Sequence, residues 1–153
     1  MARIDDIPEP TRSAILALEV PVADTKPFVT GPKLAARRVA IVSSAALNRR
    51  GDAPFPHGSG EFRTLASSLA ADDIVMSHVS INFDRTGWQR DHNVAYPIDR
   101  LHELAAEGMI GSVADAHYSV MGSTDPRAMA ESADGMAAAM HAEGVTAVVL
   151  SPV

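Results

Sequence analysis

Between positions 77 and 93 the chain crowds together side chains that donate, accept or transfer protons: Ser77, His78, Asn82, Asp84, Arg85, Arg90, Asp91, His92 and Asn93. The single tryptophan, Trp88, lies among them. A polar stretch with so little turn logic of its own reads as a binding loop. His78 stands where a strand is expected to end. It is a candidate general acid or base, with a hydrogen-bonded structural histidine as the plainer alternative. A second group is Ser43, Ser44 and then Arg49-Arg50-Gly51-Asp52. Arginines there offer paired N–H donors to a carboxylate or phosphate, or form a solvated loop with a local Arg–Asp pair. A third is "DAHYSVMGSTDP", where His117 and Tyr118 precede a glycine-containing turn and a helix start at Asp125-Pro126.

The six histidines show no HExxH or HxH spacing, so a metal site has no motif behind it. A spatial set of His78, His117 and Asp84 stays open as a lesser alternative. Gly-x-Gly-x-x-Gly after a strand, a Walker loop and a Gly-x-Ser-x-Gly elbow are all missing, so neither nucleotide binding nor that hydrolase chemistry has motif support. Cysteine is absent, which removes disulfides, thiolate ligands and a cysteine nucleophile within these residues.

The elements that must position these groups follow from pattern. Residues 1–35 hold five of the ten prolines and read as an irregular arm with a short helical piece at "TRSAILALEV". Residues 36–153 form the α/β domain. "RRVAIVSSA" predicts a strand at about 38–44, followed by a long loop, "LNRRGDAPFPHGSGEF", of a length usually tied to function. "DIVMSHVSI" predicts a second strand at about 73–81. In "YPIDRLHELAAEGMIGSV", Pro97 suits a first helical turn, Ile98, Leu101 and Leu104 share a face, and Gly108 suits the C-cap. An extended stretch is expected around 110–121. A last helix then follows, capped by Asp125, with Met129, Ala133, Met136 and Met140 as its stripe and Gly144 as its end. "TAVVLSPV" closes the chain as an apolar strand of the kind buried on both faces in the middle of a parallel sheet. The alternation predicts an α/β fold: three layers, a mostly parallel sheet with flanking helices, Rossmann-like or flavodoxin-like, incomplete at its C-terminal side. Ligands in such sheets bind beyond the carboxyl ends of the strands.

Composition sets outer bounds. The chain has 153 residues, 46% hydrophobic and 21% charged, which suits one soluble domain with a real core. A net charge of −6 excludes nucleic acid as the main partner, since phosphate neutralisation needs a basic face. No stretch approaches the roughly 20 apolar residues of a membrane span, and "MARIDDIPEP" is not a signal peptide, so a cytoplasmic protein is expected.

The segments "RRVAIVSSAALNRRGDAPF", "MSHVSINFDRTGWQRDHNVAYPIDRLHELAAEGMIGSVADAHYSVMGSTDP" and "GVTAVVLSPV", in this order across about 36–153, resemble the glycine/sarcosine/betaine/D-proline reductase family of selenoproteins. The resemblance is to its B-type selenocysteine subunits, especially the short proteobacterial ones. It implies that the redox-active selenocysteine or cysteine comes immediately after "VVLSPV". The chain is then the N-terminal part of a larger subunit, ending at a UGA codon read as a stop or at a deliberate boundary, and inactive without that residue. It implies reductive C–N bond cleavage of an amino acid or betaine, selenocysteine in the full-length protein, and a pyruvoyl group carried by a partner subunit. No cofactor is expected within this chain.

By polarity and location, His78 and His117 are the catalytic candidates for proton transfer. Ser43, Ser44, Arg49, Arg50, Asn82, Asp84, Arg85, Asn93 and Tyr118 are the candidates for binding a small amino-acid-like or anionic substrate. The rival expectation is a non-enzymatic α/β module that binds a small anion or a partner subunit. If a missing part normally covers the last strand, self-association through that strand is expected.

Overall fold

In the computed structural model, which describes residues 3–19, 26–80 and 83–153, the chain forms a mixed α/β fold. Its elements in order are helix α1 (Thr11–Leu16), strands β1 (Arg38–Ser43), β2 (Leu47–Arg49), β3 (Phe62–Ala66) and β4 (Ile74–Met76), helices α2 (Thr86–Arg90) and α3 (Ile98–Ala106), strands β5 (Ser112–Val113) and β6 (Ala116–Val120), helix α4 (Ala130–Ala142) and strand β7 (Ala147–Ser151).

β1 is the centre of the main sheet. Its alternating faces are both covered, which is why "RVAIVS" reads as a continuous apolar run. β7 pairs parallel along one side of β1, from Val39↔Ala147 to Ser43↔Ser151. β5 and β6 pair parallel along the other side, at Arg38↔Ser112 and Val42↔Tyr118, and β3 lies antiparallel beyond β6. β2 and β4 make a separate antiparallel ribbon, Leu47↔Met76 to Arg49↔Ile74. The main sheet is mixed: three of its four strand pairings are parallel, and β3 is its antiparallel edge.

Two cores result. Val39, Ile41 and Leu65 pack with Tyr96, Ile98 and Leu101, which seats α3 on one face. Tyr118, Val120 and Met136 form the other cluster, with Met129 and Met140 packed against it, which seats α4. The C-terminal glycines of both helices are as read from the sequence, whereas Pro97 stands at the N-cap of α3 and Asp125 caps a short 3-10 turn, Pro126–Met129, that leads into α4. Gly108 and Gly144 have φ of 71° and 75° just beyond the two C-termini, and the Asp125 carboxylate accepts the Arg127 N–H at 2.9 Å. Leu104, however, is 36% exposed, so the buried face of α3 is narrower than predicted.

Three expectations change. The second strand is shorter than expected and ends at Met76, with one further bond in the same register, from Ser77 N–H to Ala46 O. β3 has no counterpart among the expected elements, since "FRTLA" carries too few apolar residues to announce itself, and its pairing with β6 comes from distant sequence. β7 is not buried on both faces. Ala147 and Val149 face the core, whereas Val148 and Leu150 are 40% and 72% exposed on an edge strand.

Candidate functional site at the carboxyl end of the sheet

The chain leaves β1 through Ser44, Ala45 and Ala46, and these three residues gather four segments. Ser44 N donates to Ser151 O at 3.1 Å, Ser44 Oγ accepts Val153 N at 2.9 Å, and Ser44 O accepts Gly122 N at 2.9 Å. A Cβ on Gly122 would lie 2.8 Å from Ser44 O, so only glycine permits this approach. Ala46 N donates to Val120 O, and Ala46 O accepts Ser77 N, both at 2.9 Å. Ala46 achieves this with φ of 52°, a left-handed conformation that an L-residue with a side chain adopts at a cost of roughly 1–2 kcal/mol. Such outliers collect at functional sites. Phe55, the one buried residue of the otherwise exposed run 51–58, packs onto Ala46 and Met121, and its N–H reaches Ser77 Oγ at 3.1 Å.

His78 follows directly. Its Nδ1 accepts Ser80 N at 3.1 Å, its ring stands 5.6 Å from Phe83, and its Nε2 is buried without a partner among the described residues. Arg85 donates through one terminal nitrogen to His78 O and to Ser80 O. Burial first, and the Arg85 charge second, lower the His78 pKa below its usual value, so the ring is neutral at pH 7.

His117 has a different setting. It is fully buried on β6, and its Nδ1 accepts Ile41 N at 3.0 Å. The β1 ladder passes from β5 to β6 at this point, and the imidazole fills the place of the missing carbonyl. Burial lowers its pKa to about 4. Tyr118, its neighbour in sequence, points to the opposite face, under α4 and edge-on to Phe62 at 5.7 Å. One pocket cannot contain both side chains, because successive strand residues alternate.

The remaining predicted residues divide. Ser43 is buried, and its hydroxyl donates to Ala95 O at 2.8 Å. Asp84, just before α2, accepts from the Thr86 hydroxyl and from Thr86 N, the latter at 2.9 Å, and these bonds lower its pKa. Asn93 bridges Asp91 and Asp99 at the start of α3. Arg50 donates to Asp72 O at 2.9 and 2.6 Å, while the Arg49 guanidinium has no ion pair among the described residues. Both arginines sit at the far end of the β2–β4 ribbon, roughly 7 and 10 Å along the chain from Leu47. Arg50 and Asn93 instead line a separate polar groove of about 500 Å³ with Trp88, Arg90 and His92. Asn82 lies outside the described residues.

Ser44, His78 and Arg85 are thus connected through the Ser44–Ala46 turn and its bonds to Ser77, whereas Arg49, Arg50, Asn93 and Tyr118 are not part of that neighbourhood. No group of three His, Asp or Glu residues among the described ones is placed to hold a metal ion, which leaves the His78–His117–Asp84 set without support. Ala46 and Phe55 were not singled out in the sequence, and Ser77 stood there only as one member of the polar stretch 77–93. Only the glycine of "VMGSTDP" carried a local signal, for the close approach of Gly122.

Fold and site define an α/β protein with a polar site beyond the carboxyl ends of parallel strands, the usual ligand position of such sheets. Residues 64–153, over half of the chain, match the family described as glycine/sarcosine/betaine reductase selenoprotein B, and the chain belongs to that family. It is 30% identical over 142 residues to the D-proline reductase subunit gamma of Acetoanaerobium sticklandii. That alignment covers 89% of this chain and 58% of the relative's length. No solved structure matches. Among the described residues no helix is long and apolar enough to cross a membrane.

Proposed function

We propose that the chain is the N-terminal, substrate-pocket part of a selenol- or thiol-dependent reductase subunit that cleaves a C–N bond in an amino-acid-like substrate. The observation that carries this is the seating of Ser151–Val153 on Ser44, at the carboxyl end of β1 and beside Met121–Gly122. A selenocysteine or cysteine placed next would emerge at the position where α/β sheets bind ligands. The selenol or thiol would supply an ionised nucleophile at neutral pH. The glycine at 122 fits that placement, since it keeps side-chain bulk away from Ser44.

The chain's own residues would form the wall. His78 would donate a hydrogen bond or move a proton, and Arg85 would hold a carboxylate. Ser44 would orient the last strand, and Phe55 would close the pocket against water. His117 would act through the sheet, by holding Ile41. In the whole subunit the sheet would continue past β7 toward the three-layer, Rossmann-like form expected from the sequence, and a partner subunit would bring the pyruvoyl group. A cytoplasmic setting fits thiol or selenol chemistry.

The test begins with the gene. An in-frame UGA after the Val153 codon, with coding sequence beyond it, is the expected arrangement. The extended protein carrying selenocysteine or cysteine there should open the ring of D-proline to 5-aminopentanoate, or release ammonia from glycine or trimethylamine from betaine, in the presence of a dithiol as reductant and its partner subunit, and a serine at that position should abolish the cleavage. Another stop codon followed by noncoding sequence would sink the proposal.

A further inference from the structure

Two histidines in this chain share one unusual arrangement. In both His78 and His117, Nδ1 accepts a backbone N–H, from Ser80 and from Ile41 respectively. A neutral imidazole that accepts at Nδ1 must carry its proton on Nε2. In both, Nε2 is buried and has no partner among the described residues. A buried N–H without an acceptor is costly, by an amount similar to that of a lost hydrogen bond, and such groups mark places where an acceptor belongs.

The surroundings separate the two. His117 is sealed in the core, edge-on to Tyr96 at 5.7 Å, whose hydroxyl is also without a partner. His78 lies at the end of β4, one residue beyond the Ser77 link to the strained Ala46. It also has a cation attached. Arg85 reaches His78 O and Ser80 O through a single terminal nitrogen, so its Nε and its other terminal nitrogen are unengaged among the described residues. The loop thus presents a neutral, directional donor beside a positive charge with donors to spare. Arg85 opposes protonation of His78, so the pair carries one positive charge and not two.

One charge with donors at two angles matches a monoanionic carboxylate, whose two oxygens accept from separate groups. We propose that His78 and Arg85 form one carboxylate-binding unit, in which the locked Nε2–H of His78 and the free guanidinium edge of Arg85 donate to the same ligand. This deepens the function proposed above and rests on its placement of the pocket, but not on the chemistry of the nucleophile. His78 then serves as a fixed donor that orients the substrate, not as the base that takes its proton. Because Nε2 is buried, a ligand reaches it only when the side chains that cover it move.

The test is nitrogen NMR on the chain labelled at histidine and arginine, with acetate as probe and acetamide as its uncharged counterpart. At pH 7 the free protein should show His78 protonated on Nε2 and bare at Nδ1. Acetate should shift the His78 Nε2–H and Arg85 side-chain signals along a saturable curve and leave His117 unmoved. Acetamide should not. Arg85→Gln should weaken acetate about tenfold or more, the loss expected for a charge-assisted contact. Arg85→Lys should recover part of that loss.

A His78 proton found on Nδ1 overturns the proposal, as does an unsaturable response or equal binding of acetamide. If Arg85→Gln fails to fold, the tautomer and the acetate–acetamide comparison on the unmodified chain still decide. Reductase activity without an acetate response would remove this unit and keep the reductase. An acetate response with an inert extended protein would do the reverse.

Discussion

The Ser44 hydroxyl accepts the backbone N–H of Val153 at 2.9 Å, across 109 positions of sequence. The same residue's N–H donates to Ser151 O, so one serine holds the last strand at two points. The backbone bond survives any substitution, but the hydroxyl bond does not. Ser44→Ala should therefore loosen only the exit of β7. We expect a loss of about 1 kcal/mol, the net value of one such bond. Amide exchange should accelerate at Val153 and stay unchanged at Leu150 within the β1–β7 ladder. Equal acceleration at both would show that Ser44 supports the whole strand.

His117 makes stability depend on pH. Its folded pKa of about 4 lies below the ordinary value of 6.5. Between those values the unfolded chain takes up a proton that the folded chain refuses. Stability is therefore fully present above pH 6.5, falls as pH drops toward 4, and levels off below. The size is about 3 kcal/mol, an order-of-magnitude figure for such a shift. His117→Asn keeps an acceptor for Ile41 N and should flatten this part of the profile in urea unfolding between pH 7 and 4. His117→Leu should also flatten it and lose about 1–3 kcal/mol at pH 7, by leaving that N–H unpaired. An unchanged slope in both variants would exclude His117 as the source.

Ala46 combines a φ of 52° with complete burial against Phe55 and Met121. Glycine there relieves backbone strain but removes a packed methyl, so Ala46→Gly should change stability by less than about 1 kcal/mol. Ala46→Val adds branching to a left-handed residue and volume to a filled site. It should cost about 2–3 kcal/mol in thermal or chemical unfolding. A neutral Ala46→Val would mean that the turn relaxes to another conformation.

Leu150, 72% exposed on an edge strand with Val148 two residues away, is a contact waiting for a second surface. The chain should show concentration-dependent association in sedimentation velocity, and Leu150→Lys should shift it toward the monomer without lowering the thermal midpoint by more than about 0.5 kcal/mol equivalent. A monomer at high concentration in the unmodified chain would count against association through β7.

Much of the secondary structure was legible because its signals are local. Asp125-Pro126 and Gly144 delimit the last helical region through caps that need no partner, and "RVAIVS" announces a central strand by its own apolarity. β3 and β2 were not legible. Their short, mixed sequences become strands only because β6 and β4 lie beside them. The candidate site was half legible for a similar reason. Polarity alone put Asp84 and Asn93 on the same footing as His78, yet the first binds Thr86 at the start of α2 and the second ties together the start of α3. Short polar residues serve both purposes, and sequence cannot tell which bond is made.

What the sequence determined by itself is the order of apolar runs and punctuating residues, together with the long blocks that place the chain in its reductase family, since both depend only on residues read in line. The tertiary structure decided which face each side chain occupies. The period of two along β6 sends His117 into one core and Tyr118 into the other, and the edge position of β7 leaves Leu150 bare. It also decided that Ser44, Gly122 and Val153 meet, because their contacts are hydrogen bonds closed between strands whose pairing is a property of the whole sheet.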